Sequence, residues 1–150
     1  SATVTGCALY ANRALVARAV PVPEAAIMHD WWLNLVAVCF GEVIYDPEPQ
    51  ILYRVHGRNA SRPKEVSVQA AFRQRRGRVG RFRHNLQRRF AQGAALRDRY
   101  GADLPAGLRR TLDRFTAIPG QNPLSRRVTL LRGRFLWPGV WRNLVSLGFI

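Results

Sequence analysis

One short motif, His29-Asp30-Trp31-Trp32, sets a carboxylate beside two indole rings. Asp30 falls in the first or second turn of a helix that is otherwise predicted to be apolar. A negative charge there could simply complement the positive end of the helix dipole. It could also serve as a general base at the mouth of a site, with a neighbouring indole holding a sugar ring. The residues alone leave both interpretations open.

A second candidate is the segment Tyr53-Arg54-Val55-His56-Gly57-Arg58-Asn59, in which a predicted strand ends in histidine, glycine and asparagine. His56 there could be a hydrogen-bonded structural histidine or a ligand to a metal ion. A single histidine does not hold Mg²⁺ or Mn²⁺ alone, because such cations need several oxygen ligands. This segment therefore also carries two interpretations.

The elements that must position these residues alternate between strand and helix in the first part of the chain. Residues 3–10 are rich in β-branched and apolar side chains, which predicts a strand, and Asn12 suits the N-cap of a short helix. Pro23 with Glu24 predicts the start of the helix that contains Asp30, and Gly41 predicts its end. Further strands are predicted at 43–45 and 51–53. The predicted class of this part is mixed α/β.

From Lys64 onward the apolar residues recur at helical spacing. The first predicted helix has Phe72, Val79, Phe82, Leu86 and Phe90 on one stripe. The second follows Gly101, with Asp103 as its cap and Pro105 in its first turn. The third has Leu124, Val128, Leu131 and Phe135 on one side and Arg126, Arg127, Arg132 and Arg134 on the other. This part is predicted to be mainly α-helical.

Charge separates the same two parts. The chain carries a formal net charge of +15, of which residues 1–61 contribute −1 and residues 62–150 contribute +16. All basic residues but Lys64 are arginines, which pair with phosphate and carboxylate oxygens. An anionic surface is the expected partner of the second part.

The two cysteines lie in apolar runs and are predicted to be buried free thiols. The longest apolar run, residues 31–41, is well short of the ~20 residues that span a bilayer.

Several motifs of residues 3–60 occur together in an order that resembles a known family. They are Thr5-Gly6-Cys7, Asn12-Arg13, Pro-x-Pro-Glu at 21–24, Met28-His29-Asp30-Trp31-Trp32, and Tyr53-Arg54-x-His56-Gly57-x-Asn59. The set resembles the second half of rhamnosyltransferase-like family 2 glycosyltransferases. The resemblance implies an α/β fold: residues 1–61 would be the acceptor-side, C-terminal part of a Rossmann-like GT-A domain, and residues 62–150 an arginine-rich helical tail.

The resemblance also implies the roles of individual residues. Asp30 would be the catalytic base, and Gly6 with Trp31 or Trp32 would lie near the acceptor. His56 would help to bind a divalent metal, Mg²⁺ or Mn²⁺. The implied reaction is an inverting transfer of a sugar from a nucleotide-sugar donor to a saccharide or lipid-linked saccharide acceptor in surface-polysaccharide biosynthesis.

One part of the family pattern has no counterpart in this chain. The Asp-x-Asp element and the β/α units that bind the donor lie upstream in the family. The chain is therefore expected to be a piece of a longer protein and to be inactive alone.

The basic tail is expected to bind an anionic membrane surface, which would place the protein in the cytoplasm, peripheral on the inner face of the bacterial plasma membrane. The residues expected to make this contact are Arg73, Arg76, Arg83, Arg127, Arg134, Trp137 and Trp141. Two alternatives remain for the tail. It could be a solvated helical cap packed on the catalytic part, or a nucleic-acid-binding module without catalysis, since the cluster at 73–89 would also neutralise phosphates. No recognised nucleic-acid motif accompanies that cluster.

Overall fold

The computed structural model describes residues 6–52, 54, 75–133 and 135, without the side chains of residues 75–79 and 82. Within these residues the chain forms five α-helices: α1 (Arg13–Ala19), α2 (His29–Phe40), α3 (Arg75–Tyr100), α4 (Ala106–Ala117) and α5 (Pro123–Arg132). Two short 3₁₀ turns occur at Gly6–Ala8 and Ile118–Gly120.

The predicted strands are wrong wherever the structure describes them. Gly6–Ala8 is a 3₁₀ turn, and residues 43–45 and 51–52 have no regular structure. Ile44 is 84% exposed and Leu52 100% exposed. A β-branched or apolar run forms a strand only when a second extended segment pairs with it and one face is covered, and the described residues offer neither. The predicted α/β, Rossmann-like GT-A fold is therefore wrong: the described part of the chain is helical.

The helix boundaries follow local capping chemistry in some places and not in others. Asn12 caps α1 as predicted, because its Oδ1 accepts the Leu15 amide at 2.8 Å. Gly41 ends α2 as predicted, and its amide donates a hydrogen bond to the Ala37 carbonyl. The predicted start of α2 at Pro23 and Glu24 is wrong, since a turn stands there and the helix begins at His29. The N-cap of α4 is Pro105 and not Asp103.

The core joins α1 and α2 to the C-terminal half of α3. Its buried members are Ala19, Trp32, Val36, Leu96, Tyr100 and Leu104. Trp32 is fully buried and its indole Nε1 donates to the Ala19 carbonyl at 2.9 Å. The Tyr100 ring lies 6.2 Å from that of Trp32 and 5.2 Å from that of Phe40. The packing thus links residues on both sides of the predicted boundary between 61 and 62, which itself stays a prediction.

The last turn of α3 closes the C-terminal end of α1. The Arg99 guanidinium donates to the carbonyl oxygens of Arg18, Ala19, Val20 and Pro21, and the Tyr100 hydroxyl donates to that of Arg18. The Val20–Pro21 peptide in this segment is cis. Carbonyls at a helix C-terminus lack intrahelical hydrogen-bond donors and carry partial negative charge. A guanidinium supplies both the missing N–H donors and a compensating positive charge. We call this contact the Arg99 clamp.

A second layer packs on the other side of α3. Phe90 and Phe115 have ring centroids 4.9 Å apart, and Phe135 meets Phe115 at 5.3 Å. A Cβ on residue 93 would stand 3.1 Å from the Phe115 ring, so Gly93 allows α4 to approach α3 closely. Ile118 and Leu130 are buried where α4 leads into α5.

The clamp should contribute measurably to stability. Replacing Arg99 by Met keeps a long apolar stem but removes the donors, so we expect the free energy of unfolding to fall by about 1–3 kcal/mol. Arg110→Met, an exposed arginine of α4, is the matched control and should change stability by less than about 0.5 kcal/mol. Urea unfolding followed by circular dichroism measures both. Equal effects of the two substitutions would contradict the role of the clamp.

The two cysteines should differ in reactivity. Cys7 is exposed, which makes its predicted burial wrong, whereas Cys39 is partly buried and burial raises the pKa of its thiol. Because the thiolate is the reactive form, Cys39 should react with a disulfide reagent at mildly alkaline pH about tenfold or more slowly than Cys7. Stopped-flow absorbance should show two phases, and Cys7→Ser should remove the fast one. Loss of the slow phase instead would reverse the assignment.

Candidate functional site

A buried carboxylate lies at the start of α2. Asp30 is 3% exposed, and its Oδ1 accepts the Trp31 backbone amide at 2.7 Å. This amide is one of the first-turn N–H groups that no helical carbonyl can satisfy. Oδ1 is thereby fixed on the helix end, which leaves Oδ2 as the oxygen that faces away from that hydrogen bond.

The Gly6–Ala8 turn approaches this carboxylate closely. A Cβ added to Gly6 would stand 3.3 Å from Asp30 Oδ2 and 2.9 Å from His29 Nε2. The second distance is shorter than real Cβ contacts, so a larger residue would force His29 to move. The structure thus brings Gly6 to Asp30, two residues that the sequence placed at the same predicted site, and adds the His29 imidazole to them.

The two tryptophans lie in different surroundings. Trp32 is fully buried and its Nε1 is bonded inside the core, so it offers no ring face to a ligand. Trp31 is partly buried. The Arg89 guanidinium carbon lies 5.2 Å from the centroid of the Trp31 ring, within cation–π range. Of the two indoles, Trp31 is the one that keeps solvent-accessible surface.

Residues of α3 hold the segment that enters α2, and the sequence analysis did not single them out for this role. Gln92 is 5% exposed and its Oε1 accepts the Ile27 amide at 2.7 Å, while Arg88 Nη2 donates to the Ile27 carbonyl at 3.0 Å. Arg88 and Gln92 are four residues apart and share a helix face. In the sequence, Gln92 is recognisable only as a glutamine within an arginine-rich helix. No spacing rule predicts its contact with residue 27.

A separate cleft of about 880 Å³ lies along the C-terminal half of α2. Its walls come from residues 8–12, 14–15 and 18, from α2 at 33–34, 37 and 40, and from the segment 41–51. The lining is mostly apolar and includes the exposed acidic residues Glu42, Asp46 and Glu48. Asp30 is not among the lining residues, so the cleft and the buried carboxylate are different places.

The remaining predicted site residues are only partly within the described structure. His56, Arg73, Arg134, Trp137 and Trp141 lie outside the described residues, and Arg76 belongs to α3 without a described side chain. Arg83 and Arg127 are exposed. Across the described ranges, no three histidine, cysteine or acidic side chains come together as metal ligands. The described residues therefore do not form a divalent-metal site by themselves.

None of the helices in the described residues is both long enough and apolar enough to span a bilayer.

Comparison with known proteins found no match to this chain among protein-family profiles, curated protein sequences or solved structures.

Proposed function

We propose that this chain carries the acceptor side of an inverting glycosyltransferase of surface-polysaccharide biosynthesis, with Asp30 as the general base. The observation that supports the proposal is the buried carboxylate at the start of α2, with Oδ1 bonded to an amide and Oδ2 beside Gly6. Trp31 stands next to it as an aromatic surface for a sugar. With the predicted fold wrong, the proposal rests on this site and on the order of the motifs.

The chemistry at Asp30 needs only a correctly placed oxygen. Asp30 Oδ2 takes the proton of an acceptor hydroxyl while that hydroxyl oxygen bonds to the anomeric carbon of the donor sugar. The bond from that carbon to the diphosphate breaks on the opposite face, and the proton remains on the carboxyl group. Oδ1, held by the Trp31 amide, keeps the carboxylate in one rotamer, so no reorganisation is needed at the moment of transfer.

The residues around the base have positioning roles in this proposal. Gly6 packs directly beside Oδ2 and the His29 imidazole, where a Cβ would stand 3.3 Å from Oδ2 and 2.9 Å from His29 Nε2. The Arg89 guanidinium orients the Trp31 indole, and Gln92 with Arg88 fixes the backbone at Ile27 just before α2. These contacts come from α3, so the arginine-rich helix contributes to the geometry of the base.

The nucleotide-sugar donor and its Mg²⁺ or Mn²⁺ belong to the same proposal but not to the described residues. A divalent metal would neutralise the departing diphosphate when bound. The role proposed for Asp30, taking the proton of the acceptor hydroxyl, is separate from the charge neutralisation that the metal would supply.

The alternative of a nucleic-acid-binding module has less support. Single-stranded nucleic acid is bound by exposed aromatic rings on which bases stack. Phe90, one of the aromatics of the arginine-rich helix, instead packs 4.9 Å from Phe115. Its ring is therefore part of the α3–α4 contact, which favours a packing role over a stacking platform.

Removing the base should stop transfer without removing binding. In the complete enzyme that carries this chain, Asp30→Asn should lower turnover by about 10²–10⁴-fold, because the amide keeps the size and hydrogen bond but takes no proton. Donor affinity should be unchanged. Nucleotide diphosphate release from a panel of nucleotide sugars measures turnover, and Asp113→Asn, an exposed acid of α4, is the control. A loss below tenfold would favour a helix-dipole role for Asp30.

A side chain at residue 6 should disturb the same site. We expect Gly6→Ala to lower turnover about tenfold or more, because the new Cβ would stand 2.9 Å from His29 Nε2 and 3.3 Å from Asp30 Oδ2 and would displace both side chains. Gly107→Ala is the matched control: a Cβ there has nothing within 4 Å, and in a helix it should stabilise by up to about 1 kcal/mol with turnover unchanged. Thermal unfolding and turnover are measured for both. If Gly6→Ala kept full activity, Gly6 would not be part of the site.

A further inference from the structure

The last described helix, α5, leaves an apolar stripe uncovered. Leu124 is 73% exposed, Val128 47% and Leu131 52%. Their spacing of four and three residues places all three on one face of the helix. The sequence pattern placed these three residues on one side of the helix, and the buried residue of α5 is Leu130, at 5% exposure. The stripe is therefore apolar surface that the described structure does not use.

The orientation of α5 is fixed by contacts on its other sides. Asn122 Oδ1 accepts the Ser125 amide at 2.9 Å, and Thr129 Oγ1 donates to Gln121 Oε1 at 2.9 Å. Arg126 Nη2 donates to the Pro119 carbonyl at 2.7 Å. Asn122 only caps the helix, but the bonds of Arg126 and Thr129 and the burial of Leu130 hold the opposite side inward, so turning the stripe toward the core would break them.

Positive charge lines both edges of the stripe. At 3.6 residues per turn, Arg127 and Arg132 fall on opposite sides of the line through Leu124, Val128 and Leu131, and both are exposed. No acidic residue follows Asp113 in the sequence. An aliphatic stripe between two arginine edges has the arrangement of a helix that lies flat in a membrane interface.

We propose that α5 inserts this stripe into the headgroup region of an anionic lipid bilayer, with Arg127 and Arg132 on the lipid phosphates. Charge selects this occupant. A second copy of the chain would bring the same positive edges against each other, which costs free energy, whereas an anionic leaflet complements them and admits the aliphatic side chains to a depth of about 5–10 Å. The inference goes beyond the proposed glycosyl transfer and does not depend on it.

Co-sedimentation with vesicles tests the stripe directly on the whole chain. The protein should bind vesicles of phosphatidylcholine that contain phosphatidylglycerol, and bind pure phosphatidylcholine vesicles much more weakly. Leu124→Ser with Leu131→Ser should weaken partitioning to the anionic vesicles about tenfold or more. The matched control is Leu52→Ser, which removes the same side chain from a fully exposed position outside any helix, and it should leave partitioning unchanged.

A second pair of substitutions tests the charged edges. Arg127→Gln with Arg132→Gln should also weaken binding about tenfold at low ionic strength, and the difference from the wild-type chain should shrink as salt rises. Inorganic phosphate at equal ionic strength should compete no better than chloride, which distinguishes a bilayer from a soluble phosphate ligand. Circular dichroism of each variant should match that of the wild-type chain.

Three results would overturn the proposal. The leucine variant could bind anionic vesicles as the wild type does, or lose no more than the Leu52→Ser control. It could convert an oligomer into a monomer in light scattering while vesicle binding persists, which would assign the stripe to a contact between copies. Equal binding to neutral and anionic vesicles would show that the arginine edges do not contribute to binding.

Discussion

The docking of α3 on the end of α1 is the contact on which the rest of the described structure depends. Tyr100 closes the core over Trp32 and Phe40, and Arg99 donates to four carbonyls at and just after the end of α1, one of which, that of Ala19, also accepts the Trp32 indole N–H. The Arg99 hydrogen bonds are charge-assisted and converge on one guanidinium, so they fix both the position and the direction of α3. A shift of α3 along its axis would break them together.

This contact also decides the surroundings of the candidate base. With the last turn of α3 anchored on α1, the turns before it pass the start of α2, where Gln92 and Arg88 meet Ile27 and Arg89 meets Trp31. A helix that reads in sequence as a basic surface element therefore shapes the environment of Asp30. Arginine suits both tasks, because its planar donors bond several carbonyls and its flat face rests on an indole.

Local chemistry explains which sequence-based predictions were correct. The cap at Asn12, the stop at Gly41 and the helices of the second part depend on neighbours a few residues away, and they agree with the structure. The strands did not agree, because strand formation depends on a partner that no local pattern supplies. The burial of α5 depends on distant neighbours in the same way. Its apolar stripe was visible in the sequence, but whether a neighbour covers it depends on how Phe115, Phe135 and Leu130 pack.

For the candidate site, the sequence by itself determined the chemistry on offer: a carboxylate in the first turn of a helix, two adjacent indoles and a glycine upstream. The tertiary structure alone decided which of these meet. It buried Trp32 and left Trp31 partly exposed, brought Gly6 close to Asp30, and supplied Arg88, Arg89 and Gln92 from about 60 residues away. Residue type and spacing set capping, charge and helix faces within a few turns, whereas contacts between distant segments depend on how whole faces fit together.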